Sequence, residues 1–579
     1  MQWNTIEAPA EALSRLNSIG VHPVVARLLA SRGFESRHEA EAFLHPKLAH
    51  LRDPFEIHNL RPAVERILRA LEKGERILIF GDYDVDGITS TVLLVSILRQ
   101  FGSFPRYAVP LRLEEGYGLN RAALERAIEV EVPDLLIAVD CGTKSIDEVA
   151  WLRSLGVDVV LVDHHRGADT LPLDCVIVNP HVSGRDDETS QALCAVGLTF
   201  KVIHGLLKEL RERGDRHAYK VRIKDYLDLV ALGTIADLVP LRDENRILAR
   251  HGLGMLAQCQ RQGVRALFDV CGLSLGQPIR PTDISFRIGP RINASGRLAD
   301  ATVPIEMLLC EDFGRCAEAA SDLDGMNRER QEIERTICAQ AEAQVLQEQR
   351  DDPALVVFDD DWHTGVVGIV AGKLARQFNR PAVVLGREGQ WAHGSGRSVP
   401  GINLVEAMSF CAVDGTGCAL LGSWGGHPMA VGVAVQADKL TEFRTHLHAA
   451  VKQQMDCGLT EPCLPVAGTL RADQLGAPLL KELELMEPYG EGNPEPIFAV
   501  PSAQLVEEPV IFGEGDAHFR FHLPTTPGRK VSGVAWGQGC RVPPVGEPVD
   551  LAVKLAWNVF NGRRFPQIEL VDWKLSKRV

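Results

Sequence analysis

The chain has 579 residues, 45% of them hydrophobic and 24% charged, with a formal net charge of −15. That length exceeds what one core serves and suggests roughly three or four domains, while the composition excludes a disordered or fibrous chain. No apolar run approaches the roughly 20 residues of a membrane span, and the start Met-Gln-Trp-Asn-Thr-Ile lacks the pattern of an export signal. No membrane association is expected. The 13 cysteines are scattered without a Cys-x-x-Cys pair, which suits reduced, buried thiols in a cytoplasmic protein.

Residues 1–54 read as a helical segment, with stretches such as Val25-Ala-Arg-Leu-Leu29. An amphipathic helix at Ala63–Leu71 leads through Gly74 to the apolar run Arg76–Phe80. Short β-branched runs bounded by glycine and charge predict buried parallel strands. The pattern recurs at Leu135–Val139 and Val157–Val162 with helical stretches between, so 55–309 is expected to be an α/β domain on a parallel sheet. Sites in such sheets lie at the carboxyl ends of the strands. Over 310–350, Leu323, Met326, Arg330, Ile333, Ile337, Ala341 and Val345 recur at helical spacing and predict one long, exposed helix connecting two bodies. A second α/β pattern fills 351–460, beginning at Ala354–Phe358. The stretch around Glu461–Pro465 reads as a linker. Over 465–579, Phe519–Leu523, Val531–Trp536 and Leu551–Leu555 alternate with Gly/Pro turns and predict a small β-barrel.

The sharpest chemical feature is Gly81-Asp82-Tyr83-Asp84-Val85-Asp86-Gly87, between a buried strand and an apolar helix. Three carboxylates at alternate positions repel one another unless a cation holds them. A calcium loop is excluded because its twelfth position, which must be a bidentate Glu, is Leu93, and because a strand stands where a helix is needed. The next two strands end in Asp140-Cys141-Gly142 and Asp163-His164-His165. A lone Asp or His is ordinarily structural, but three successive strand ends bring these groups to one edge. Asp237, between apolar neighbours, is a further candidate that needs a partner if buried. A mixed carboxylate and imidazole set suits two Mn²⁺ or Mg²⁺ ions, and two such ions suit in-line attack on phosphorus.

Other segments point to phosphate. Arg291-Ile-Asn-Ala-Ser-Gly-Arg297 sets two guanidiniums (Arg291, Arg297) and the amide of Asn293 among small residues. Gly394-Ser-Gly-Arg-Ser398 repeats that chemistry with Ser395 and Arg397, and Gly425-Gly-His427 follows. Guanidinium forks match phosphate oxygens, and glycine lets backbone N–H groups join. Gly368-Ile-Val-Ala-Gly-Lys-Leu374 has the wrong glycine spacing for a P-loop, so ATP hydrolysis is not expected. The negative net charge does not exclude a nucleic acid, since residues 529–579 carry nine Lys or Arg against four Asp or Glu.

Taken together, these motifs resemble the RecJ family of single-strand-specific 5′→3′ DNA exonucleases within the DHH phosphoesterase superfamily. The resemblance runs through Gly-Asp-Tyr-Asp-Val-Asp-Gly, Val-Asp-Cys-Gly, Asp-His-His, Gly233–Pro240, Gly289–Arg297, His363–Ala371, Gly394–Ser398, Gly425–Gly432 and Glu487–Pro496, nearly the whole chain. It implies Asp84, Asp86, Asp140, His164 and Asp237 as ligands of two Mn²⁺ or Mg²⁺ ions, with Asp82 in or beside them. It implies that His165 holds the scissile phosphate, that Arg112 meets the DNA backbone, and that Ser395, Arg397 and Arg291 capture a 5′ phosphate. By the same resemblance the C-terminal barrel is an oligonucleotide-binding fold. Trp536, Trp557, Phe560 and Phe565, with Arg563 and Arg564, are its candidate stacking and basic residues, against the ordinary reading of barrel aromatics as core. The expected role is in DNA recombination and repair. Partner contacts with a single-strand-binding protein and a helicase follow from the resemblance alone, and a monomer is the default. Competing readings are a short-RNA or cyclic-dinucleotide hydrolase, a metal-free replication scaffold and a pyrophosphatase. The first and third have no use for the barrel, and the second predicts substituted carboxylates.

Overall fold

In the computed structural model the described residues are all but 1, 112–114, 117, 168–169, 183–190, 299–300, 414–418, 456–462, 527, 561–562 and 577–579. Arg112 therefore lies outside them, as does the side chain of Phe560.

The first sheet is wholly parallel, in the order Arg106–Ala108, Ile77–Phe80, Leu135–Val139, Asp158–Val162, Val176–Val178. Its two central strands are buried at every position, because helices cover both faces. Ile77, Ile79, Leu135, Ile137 and Val139 point into one core with the helices Leu60–Lys73, Val85–Gln100 and Ala195–Glu212. Leu78, Phe80, Leu136 and Ala138 point into another with Arg121–Ile128 and Ile146–Ser154. The chain leaves Ile77–Phe80 for the edge strand and returns to Leu135–Val139, so the order reverses between these two neighbours. A crevice opens at such a reversal, beyond the carboxyl ends of the strands.

The helix Phe313–Glu348 has 36 residues, or ~54 Å at about 1.5 Å per residue. It is not the exposed rod that its polar composition suggests. Cys316, Ala320 and Leu323 belong to the first core, and Ile337, Ala341 and Val345 to that of the second body. Between these apolar stripes Arg330 donates to Glu334 (2.7 Å) and Asn327 (3.0 Å), and Lys373 from the second body meets Glu334 at 2.5 Å. The composition is polar because the helix is buried in two places and spans a gap between them.

The second body holds a five-stranded sheet ordered Leu421–His427, Ala430–Gln436, Trp391–Arg397, Ala382–Glu388, Leu355–Asp359, parallel only in its last pair. The C-terminal sheet has seven strands, with the long hairpin Val549–Phe560 and Arg563–Leu575 at its centre. Two expectations change here. Residues 10–44 are helical, yet Leu16, Val25, Leu29 and Leu44 share one core with Phe498, Phe519 and Leu551 of the C-terminal sheet. Cys463–Val466 is a strand, not a linker, and pairs in parallel with Gln2–Thr5. No helix among the described residues is long and apolar enough to cross a membrane.

Candidate metal centre and phosphate cleft

The loop after Ile77–Phe80 closes directly into a helix, and its carboxylates are fixed by local backbone. Asp84 caps Val85–Gln100, its Oδ1 accepting from the amides of Asp86 (2.9 Å) and Gly87 (3.2 Å). Asp82 Oδ1 accepts from Tyr83 N at 2.8 Å. Asp86 is buried and anchored across the fold, its oxygens accepting from Ala195 N (2.7 Å) and Val196 N (2.8 Å) at the start of Ala195–Glu212, where the helix dipole favours a negative charge. Gly233 makes room for it, since a Cβ there would lie 2.9 Å from Asp86 Oδ1.

Asp140 follows the next strand in a left-handed conformation (φ 66°), the kind of backbone strain that persists where surrounding structure dictates a side chain's direction. Its Oδ1 is buried without a hydrogen-bond partner. His164 Nε2 stands 3.3 Å from Asp140, 3.7 Å from Asp237 and 3.8 Å from Asp86, so three carboxylates from separate segments converge on one imidazole nitrogen. Asp237 caps the end of the helix Leu227–Ala236.

Burial and mutual repulsion push the pKa values of Asp86, Asp140 and Asp237 well up from the ordinary carboxylate range. Burial, then the charge of His165, lowers His164 to about 4, which keeps its ring neutral and able to act as a ligand. This donor set fits a divalent cation. An orphaned buried carboxylate oxygen and crowded like charges are what such an ion relieves, and oxygen with imidazole nitrogen suits Mn²⁺ or Mg²⁺. Cys194 also lies within this group, beside Asp86 and Asp237.

His165 behaves oppositely. Burial works to lower it, but the hydrogen bond that its Nδ1 donates to Asp163 Oδ1 (2.8 Å) and that residue's charge raise it to about 9. Asp163 is a positioning residue that the motif reading passed over. Its Oδ1 also accepts from the amides of His164 (2.8 Å) and His165 (3.1 Å), and its Oδ2 from Thr143 N (3.0 Å). Asn179 braces the same turn, donating to Thr143 Oγ1 (2.9 Å) and His165 O (2.8 Å). The Asp in Asp-His-His was visible in the sequence; Asn179 and the Ala195–Val196 amides carried no signal there.

Across from the carboxylates, Tyr83, Asp84, Asn293, Arg297, Ser395, Arg397 and Gly425 line a cleft of about 470 Å³ between the two bodies. Residues 291–297 lie in the helix Gly289–Leu298, which bridges the bodies: Asn293 Oδ1 accepts from Val85 N (3.0 Å) and Arg297 donates to Gly365 O (2.9 Å). Ser395 and Arg397 lie on the strand Trp391–Arg397 and His427 ends Leu421–His427. The pKa of His427 is lowered by burial and then by the charges of Lys144 and His165. Arg291 is not brought to the cleft. Its guanidinium is spent on Asp324 (2.9 Å) and on the carbonyls of Arg287 (2.7 Å) and Val270 (3.3 Å). A larger cleft, about 820 Å³, contains none of these groups.

The barrel aromatics do not form one surface. The hairpin register pairs Trp557 with Pro566 and Asn558 with Phe565, placing Trp557, Arg563, Arg564 and Phe565 at the turn end. Arg564 lies over the Trp557 ring at 4.5 Å, while Trp557 packs partly against the core. The strand Arg529–Ala535 runs parallel to Arg563–Leu575, pairing Val534 with Glu569, so Trp536 sits toward the opposite end. There it stacks with His518 (5.0 Å) and Phe512 (5.8 Å) and remains half exposed.

Comparison with known proteins gives three domains in the same order. The DHH family, N-terminal domain, matches residues 76–234, the DHHA1 domain 351–453 and the RecJ OB domain 466–572. The single-stranded-DNA-specific exonuclease RecJ of Bacillus subtilis is 34% identical over 586 aligned residues, covering 100% of this chain and 71% of that protein. The RecJ of Escherichia coli is 34% identical over 562, covering 94% and 95%. The crystal structure of Thermus thermophilus RecJ in complex with Mn²⁺ superimposes with a TM-score of 0.81 at 29% identity, covering 100% of this chain and 80% of that one, and the Mg²⁺ complex with 0.77. Matched in its DHH, DHHA1 and OB domains and 34% identical to RecJ proteins over nearly its whole length, this chain belongs to the RecJ family of single-stranded-DNA-specific exonucleases.

Proposed function

We propose that the chain is a metal-dependent exonuclease that degrades single-stranded DNA from the 5′ end and releases 5′-mononucleotides, in DNA recombination and repair. The observation that carries this reading is the meeting, in one cleft, of Asp84, from the carboxylate loop, with Ser395 and Arg397 of the second body.

Asp84, Asp86, Asp140, His164 and Asp237, with Asp82 beside them, would hold two divalent ions. Such ions lower the pKa of a bound water and neutralise charge on phosphate oxygens. The remaining work falls to the chain itself. Asp163 keeps His165 protonated, so a cationic N–H faces the phosphate whose bond is cut. Arg397 and Ser395, with Arg297 and Asn293 at the cleft wall, receive a terminal phosphate, whose extra negative charge distinguishes it from an internal diester. That preference gives the direction of travel a physical origin. The OB domain holds the strand away from the cut, with Trp557, Phe565 and Arg563 as its contacts at the hairpin turn.

The test uses single-stranded DNA labelled at the 5′ end in one tube and the 3′ end in another, with Mn²⁺, a duplex control and Asp140→Ala. Immediate release of labelled mononucleotide from the 5′-labelled strand alone, with duplex and variant silent, supports the reading. Release first from the 3′-labelled strand refutes the polarity, and preferential loss of short RNA points to an oligoribonuclease.

A further inference from the structure

Asp237 is followed by a short segment with few regular hydrogen bonds of its own. Leu238 adopts a left-handed conformation (φ 60°) and the next helix starts at Asp243. What fixes the segment comes from the other end of the chain. Leu241 N donates to Glu491 O (2.8 Å) and Arg242 Nε to Gly492 O (2.9 Å), both in the loop that leads into the OB sheet. The contact is close. A Cβ on Gly490 would lie 2.8 Å from Leu241 Cδ1, and one on Gly492, itself left-handed at φ 67°, 2.9 Å from Pro240 Cβ. Gly492 has no room for a side chain, and one at Gly490 would have to displace the end of Leu241.

The loop is itself held rigidly. Asn493 is buried and donates to Met486 O and Pro488 O, each at 2.8 Å, while Gly490 and Asn493 exchange backbone bonds of 3.0 and 3.1 Å. Arg246 rises one turn beyond Arg242 and is buried. Its hydrogen bonds go to backbone carbonyls of two segments: Phe43 (2.7 Å), and the stretch of Leu485 (3.0 Å), Glu487 (2.8 Å) and Pro488 (3.5 Å). A guanidinium satisfied only by carbonyls gains no ion pair to offset its desolvation, so the arrangement serves geometry more than stability. A further tie reaches the second carboxylate. Asn245 donates to Pro240 O (3.1 Å) and to Ala192 O (2.6 Å), three residues before the amide that holds Asp86.

We infer that the loop Glu487–Asn493 of the OB domain positions the metal centre: by clamping Pro240–Arg242 it sets Asp237 and, through Asn245 and Ala192, the cradle of Asp86. Arg242, Asn245 and Arg246 are positioning residues, and the OB domain is a structural part of the cation site as well as a grip for DNA. The inference rests on the assignment of Asp86 and Asp237 as metal ligands.

The test measures Mn²⁺ binding to the full chain without DNA, by loss of the free-ion electron paramagnetic resonance signal, at a temperature well below each protein's Tm. Gly492→Ala, which pushes the loop off Pro240, is expected to weaken Mn²⁺ binding about tenfold, the usual scale for displaced supports of metal ligands. Arg242→Ala, an exposed side chain whose loss leaves the fold intact, is expected to weaken it severalfold. Val531→Ala, in the OB core away from the loop, is expected to leave it unchanged. Wild-type isotherms for both Gly492→Ala and Arg242→Ala would overturn the inference. Equal weakening by Val531→Ala would also overturn it, since general loosening of the OB domain would then suffice. If the wild-type chain binds no Mn²⁺, the ligand assignment falls and this inference with it.

Discussion

Gly233→Ala is the smallest change that addresses the metal centre without touching a ligand. The added methyl would stand 2.6 Å from Thr89 Oγ1, 2.6 Å from Val196 Cγ1 and 2.9 Å from Asp86 Oδ1, about 0.5–0.8 Å inside the 3.4 Å at which ordinary contact begins. None of these neighbours is free to retreat. Thr89 Oγ1 donates to Val85 O at 2.7 Å, and Val196 carries one of the amides that hold Asp86. Overpacking of this kind costs about 1–3 kcal/mol, or roughly 2–12 °C in Tm for a domain of this size. Any relaxation that relieves the clash must also move Asp86 or its cradle, so Mn²⁺ affinity should fall by about tenfold or more. Thermal melts with and without Mn²⁺ read both effects, because an ion at free concentration c that binds only the folded state stabilises it by RT ln(1 + c/Kd), so a weaker site gives a smaller rise in Tm. A variant with lowered apo Tm but an undiminished Mn²⁺-induced rise would refute the claim that Gly233 protects the placement of Asp86.

Asp163→Asn removes the partner that holds His165 up. In the parent protein the raised imidazole pKa contributes stability that is complete below the unfolded value near 6.5 and is lost as pH rises through about 9. In the variant burial is opposed only by the charges of Asp82 and Asp237, and an NMR titration of the apo protein should show His165 losing its proton at a lower pH than in the parent. Lys201→Met leaves the buried Glu244 without its 2.7 Å cation and should cost about 3–5 kcal/mol in chemical denaturation, whereas Lys201→Met with Glu244→Gln should cost less. Arg397→Ala should reduce the preference for 5′-phosphorylated over 5′-hydroxyl ends by about 10- to 150-fold in kcat/KM, the equivalent of one charged hydrogen bond. An unchanged preference would place the terminal phosphate elsewhere. Trp557→Ala should weaken binding of single-stranded DNA more than Trp536→Ala, measured by fluorescence anisotropy, because only the former lies at the hairpin turn beside Arg563 and Arg564.

The alternation of strand and helix over 55–309 was legible because both faces of a parallel sheet are buried, which writes the strands as continuous apolar runs. The acidic ends of those runs then marked the crevice, and Asp86, Asp140, His164 and Asp237 do converge. What the sequence hid is long-range. The amides that hold Asp86 stand 109 and 110 residues away and belong to side chains with no polar signature. Arg291 and Arg297 look alike in one motif, but a six-residue separation on a helix turns one toward Asp324 and the other toward the second body. Trp536 and Trp557 read as one aromatic set because a linear string does not show that their strands expose opposite ends of a sheet. The long helix was misjudged as exposed because two short buried stripes, separated by a polar stretch, average to a polar helix.

The core shared by the first and last parts of the chain has a consequence for how the protein is made. Leu16, Val25, Leu29 and Leu44 leave the ribosome early, but Phe498, Phe519 and Leu551, against which they pack, come some 450 residues later. At about 5–20 residues per second, these helices wait roughly half a minute to a minute and a half for their cover. The catalytic body, whose core lies within residues 57–323, can close in the meantime. The amino-terminal helices are thus synthesised first and buried last, and a nascent chain stalled anywhere before the OB domain presents an uncovered apolar face to chaperones.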